Sequence, residues 1–72
     1  MTPNEKLELL EAKAKGFQNR YPDWREGQAL YNTLFLDCRF IADQIRGTEY
    51  DCFNDDNKIN AFKARVIELW SK

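Results

Sequence analysis

The stretch WREGQALYNTLFLDCRFIADQIRG, residues 24–47, decides the fold. Trp24, Gly27, Leu30, Tyr31, Leu34 and Phe35 recur every third or fourth residue, which on a helix of 3.6 residues per turn makes one wide apolar face. Apolar and polar residues do not alternate long enough for a strand. Just upstream, Pro22 pushes Tyr21 out of helical geometry, and Asp23 with Glu26 three residues on is an N-terminal capping signature. A core helix is therefore expected to begin near Trp24. Asp37 offers a second cap, so DCRFIADQIRG reads as a short helix that buries Cys38, Ile41 and Ile45 and is stopped by Gly47 in the left-handed conformation. The alternative is one bent helix across both segments.

Working outward, TPNE at the N-terminus places Thr2 as a cap, Pro3 in the first turn and Glu5 where it completes a capping box. Leu7, Leu10, Ala14 and Phe17 then form one stripe of an amphipathic helix running to about Arg20. Acids at its start and bases at its end complement the helix dipole. Gly16 weakens it by about 1 kcal/mol relative to alanine and marks a bend or a close contact. From about Asp56 a last helix carries Ile59, Phe62, Val66 and Leu69 on one face, with Trp70 beside them. The expected architecture is all-α: a compact bundle of four helices, the third short, in a single domain over residues 1–72.

A chain of 72 residues buries only about 60% of its unfolded surface, so each large apolar side chain counts. Eleven bases stand against twelve acids, a balance that gives no overall field toward nucleic acid or an anionic membrane. No stretch approaches the roughly 18 apolar residues of a membrane span, and the expected location is the cytoplasm. In that reducing compartment Cys38 and Cys52 are read as free thiols, Cys38 buried and Cys52 half exposed. Pairing them would close a loop of about 15 residues, worth roughly 3 kcal/mol.

Between the last two helices lies GTEYDCFNDDNK, residues 47–58. Its acids Glu49, Asp51, Asp55 and Asp56 invite a metal-site reading, but neither Asp51 nor Asp55 begins the ligand series of an EF-hand loop. As a connector it explains itself better. Thr48 and Asp51 bond nearby backbone, Asn54, Asp55 or Asp56 caps the next helix, and Tyr50 and Phe53 pin the loop to the bundle. The remaining reading is an acidic rim around an aromatic, suited to a basic partner.

GQALYNTL, followed by IADQIRGTEYDCFNDD, resembles a pattern in small, largely uncharacterised helical proteins of bacteria and bacteriophages, where IRGT precedes an Asp, an aromatic and paired acids ahead of a last helix. The likeness covers roughly residues 20–70. It implies a helical fold and a bacterial or phage source, and brings no activity and no catalytic residue. Cys52 stands where those proteins favour proline, so the rigid turn is not carried over.

For catalysis the chain has no histidine, the commonest general base and metal ligand. Neither cysteine has a visible cause of thiolate activation, and a domain this small has little room for a pocket of several hundred Å³. No enzyme activity and no cofactor are expected. Arg39 and Arg46 would lie on the later helix of a helix-turn-helix-like pair, and Lys58, Arg65 and Lys72 form a basic strip. Asp37, Asp43 and the acidic loop oppose nucleic acid, leaving that as the weaker reading. The leading expectation is a small interaction module, an accessory protein of a phage or mobile element that binds an unidentified protein partner or a second copy of itself. Ten aromatics are more than one thin core encloses, and the candidate contacts are Tyr21, Trp24 and Arg25 beside Arg20, with Glu49, Tyr50, Asp51 and Phe53. The plainer alternative is that Trp24 staples two helices and Tyr21 covers it.

Overall fold

The computed structural model describes residues 1–71. Among them are four helices and no strand: α1 (Pro3–Arg20), α2 (Glu26–Asp37), α3 (Arg39–Ile45) and α4 (Ile59–Trp70), the last entered through a 3-10 turn at Asp56–Lys58. The all-α fold with a short third helix is as the periodicity predicts. Leu10, Leu34, Ile45 and Val66, one from each helix, are all fully buried and meet in one core with Leu7, Leu30, Ile41 and Phe62. Trp24, Phe35, Tyr50, Phe53 and Trp70 cover the margins of that core, each partly buried.

At the start of α1 the capping box forms as expected: the Glu5 amide donates to Thr2 Oγ1 at 3.2 Å, and the Thr2 amide donates to Glu5 Oε1 at 3.1 Å. The bond from the Thr2 backbone favours the charged carboxylate and holds the Glu5 pKa below its ordinary value. Gly47 takes φ +73° after α3, the left-handed turn for which only glycine is unstrained.

Several boundaries differ from the sequence reading. The core helix starts at Glu26 with Arg25 at its N-cap, not near Trp24, and Asp23 does not cap it. Instead the Gly27 amide donates across the fold to Asp56 Oδ1 at 3.0 Å, so this N-terminus is capped by a residue 29 positions away. Asp37 does not open a new helix. It is the last residue of α2, and its carboxylate takes Lys13 of α1 at 2.9 Å. Cys38 alone, at φ −150° and ψ 84°, separates α2 from α3, which are two helices rather than one bent one.

The thiols are also reversed. Cys52 is fully buried and donates its S–H to the Gly27 carbonyl at 3.3 Å, whereas Cys38 is only half-buried at the helix junction. The reason is Gly27. With no side chain there, the backbone around Cys52 packs directly on α2; a Cβ would collide with the Cys52 carbonyl oxygen and stand 2.8 Å from Asp56 Oδ1. Gly16 is the opposite case, since a Cβ would meet nothing within 4 Å, and it marks no close contact.

The two glycines make a paired prediction. Gly16→Ala should stabilise the fold by about 1 kcal/mol through helix propensity. Gly27→Ala, although equally helical, should destabilise it by about 1–3 kcal/mol through overpacking against backbone. Urea denaturation followed by circular dichroism reads both; equal effects at the two positions would contradict the close approach at Gly27.

Candidate interaction surface

The loop after Gly47 is built by its own acids. Asp51 Oδ2 accepts from the Gly47 amide at 2.9 Å and its Oδ1 accepts from the Phe53 amide at 3.0 Å. Asp55 Oδ1 accepts from Asn57 at 2.9 Å, opening the 3-10 turn, while Asp56 caps α2. Thr48 Oγ1 donates to the Ile45 carbonyl and accepts from the Tyr50 amide. Three of the four acids are thus occupied by backbone N–H groups, and Glu49 is exposed. Among the described residues no three His, Cys, Asp or Glu side chains gather as a metal site.

The seven sequence-derived contact residues do not form one site. Tyr21 stacks on Trp24 at 4.8 Å, and both rings face Phe17, at 6.5 and 5.9 Å. Trp24 is half-buried there, with its carbonyl accepting from Gln18, while Tyr21 is 43% exposed and Arg20 lies 6.0 Å from its ring. Arg25 reaches from this cluster to the loop, its Nη2 donating to the Phe53 carbonyl at 3.3 Å. Phe53 packs edge-on against Tyr31, ring centres 5.9 Å apart. Tyr50 instead turns to α4, under Arg65 at 5.4 Å. Tyr31, Phe35, Arg46, Asp51 and Phe53 line an open groove of about 380 Å³.

The bases are largely committed within the chain. Lys13 pairs with Asp37, Lys63 with Glu11, Arg39 with Asp43 and Arg65 with Glu68. Lys6 stands over Trp70 at 5.9 Å and Arg39 over Phe35 at 5.2 Å. Arg65 of the expected basic strip is therefore occupied on both sides, and Lys72 lies outside the described residues. No helix among the described residues is long and apolar enough to cross a membrane.

The most exposed apolar side chains lie where the sequence reading placed no contact. Phe40 is 76% and Leu36 67% exposed, with Leu9 at 47%. Leu36 lines a shallow depression of about 480 Å³ with Phe17, Arg20 and Lys13; Leu9 lines a second of about 440 Å³ with Met1, Lys6, Cys38 and Trp70. The Lys13–Asp37 pair borders both, so the two depressions form one continuous face. Through Phe17 that face reaches Tyr21. A signal for it exists in the sequence: Leu34, Phe35 and Leu36 are consecutive, and successive residues on a helix are about 100° apart, so one of the three must point away from the core.

Comparison with protein-family models, with curated proteins and with solved structures gives no match.

Burial pushes the Cys52 thiol up to about 12, with the Asp51 carboxylate adding to the effect. In the unfolded chain the thiol ionises near ~8.5. Its contribution to stability is therefore complete below that pH and lost as pH rises toward the folded value. Thermal melts of the native protein should fall over this range, and less steeply for Cys52→Ala. Alkylation at pH 8 should modify Cys38 and spare Cys52 until denaturant is added. Equal labelling of both thiols in the folded protein would refute the burial.

Proposed function

We propose that this chain is a small helical interaction module, an accessory protein of a phage or mobile element in the bacterial cytoplasm, that acts by occupying a protein surface. The observation that carries the reading is an exposed apolar face on which Leu36, 67% exposed, is continued by Leu9, Phe17 and Tyr21, with Phe40, 76% exposed, on the following helix α3. Scattered exposed leucines are ordinary, but a continuous apolar face on a monomer of this size is the mark of a contact surface. Tyr21 and Arg20 at its end are residue types that interfaces favour as anchors. The acidic loop serves this face only indirectly, since Asp51, Asp55 and Asp56 hold backbone and Phe53 is half-buried.

The other functional classes have less support. Phosphate binding needs free Lys and Arg on one face, and here most of those bases already face a carboxylate or a ring. For covalent catalysis, Cys52 is buried and held protonated, with no histidine in the chain to activate Cys38.

Placing a photo-crosslinking amino acid at position 40, and separately at position 36, in bacterial cells tests the reading. Discrete adducts with a polypeptide are expected from both positions and not from the exposed Asn60 on α4. Absence of any protein adduct from 36 and 40 would remove the proposal.

A further inference from the structure

The apolar face has a distinctive arrangement of charge. Near its middle stands one ion pair, Lys13 Nζ to Asp37 Oδ2 at 2.9 Å, with both side chains substantially exposed. Apolar groups flank the pair on either side: Leu9, Met1 and Trp70 line the depression on one, Phe17 and Leu36 that on the other. The rim carries both signs, with Lys6 and Arg20 against Glu5 and Glu8. A strongly acidic or strongly basic partner would gain little from such a surface. A copy of the same surface, turned by 180° about the ion pair, would lay apolar on apolar and Lys13 against Asp37.

Resting on the interaction-module reading, we infer that the partner of this face is a second copy of the chain, in an isologous dimer whose axis passes by the Lys13–Asp37 pair. Two-fold interfaces require a self-complementary patch, and a central dipole bordered by apolar groups on both sides meets that requirement. Met1, Leu9 and Leu36 on this face are 76%, 47% and 67% exposed, so apolar surface on both sides of the pair is open to a partner. The stripe on α1 from Leu9 to Arg20 is about 16 Å long at the helical rise, enough for two α1 helices to lie against each other. With a net charge of only −1, two copies meet no strong repulsion.

Sedimentation equilibrium on the purified full chain from micromolar to millimolar concentration is the test. The expected result is conversion of the 8.6 kDa monomer to a species of twice that mass. Leu36→Glu should weaken association at least tenfold while leaving the helical circular dichroism unchanged. Lys13→Glu alone places only acids at the axis, and Asp37→Lys alone only bases, so each should be monomeric; mixing the two variants should restore a dimer. A wild-type chain that stays monomeric throughout, or charge variants that fail to recombine when mixed, overturns the inference. If the wild type is monomeric while positions 36 and 40 crosslink to a different protein in cells, the dimer falls and the interaction module stands. No adduct of any mass removes both.

Discussion

The N-terminus of α2 rests on a backbone contact with the loop that precedes α4, and the rest of the bundle is arranged around it. Gly27 gives its amide to Asp56 and its carbonyl to the Cys52 thiol, at 3.0 and 3.3 Å. Helix α2 is the central element, packed against α1, α3 and the 3-10 turn. Its N-cap residue, Arg25, makes no side-chain cap, so without Asp56 an N–H near a helix start inside the fold would lose its acceptor. Leaving such a group unsatisfied costs about 1–3 kcal/mol, a large share of the stability open to a domain this small. The contact also closes the chain, because the loop it fixes delivers α4 and with it Phe62 and Val66 to the core.

This contact gives the acidic loop its purpose. Asp51 ties Gly47 to Phe53, Asp55 opens the turn into α4, and Asp56 crosses to α2. A carboxylate in each of these places accepts from backbone N–H groups, which is what a short loop without regular structure must supply for itself. GQAL and the paired acids, quoted together from the sequence, turn out to meet in space through Gly27 and Asp56. The acids are spent on the scaffold, and the exposed apolar side chains Leu9, Leu36 and Phe40 lie on α1, α2 and α3.

What the sequence made legible follows the range of the interactions involved. The helices and Leu10, Leu34, Ile45 and Val66 were readable because a 3.6-residue period records burial locally, and so were the Thr2 cap and the Gly47 stop. The start of α2 was not, since its cap comes from Asp56, and a local search finds Asp23 instead. Cys38 and Cys52 were interchanged for the same reason: a thiol on an apolar stripe looks buried, whereas Cys52 owes its burial to a glycine in another segment. For the surface, Tyr21 with Arg20 was legible as an exposed aromatic with a neighbouring base. Leu36 and Phe40 were absorbed into the apolar count, because composition does not distinguish an excess apolar residue from a core one.

The break at Cys38 joins these two threads. A continuous helix through LFLDCRFIAD, advancing about 100° per residue, would also keep Leu34, Ile41 and Ile45 within about 20° of one line, so the break at Cys38 is not what brings them to one face. After the single extended residue, α3 carries Ile41, Ala42 and Ile45 into the core and leaves Phe40 outside. Phe40 stands about 100° from Ile41 and 140° from Ile45 around α3, so burying those two turns it toward solvent. A large apolar ring held out in this way has an unfavourable hydration free energy in the isolated chain, and association is the process that can recover it.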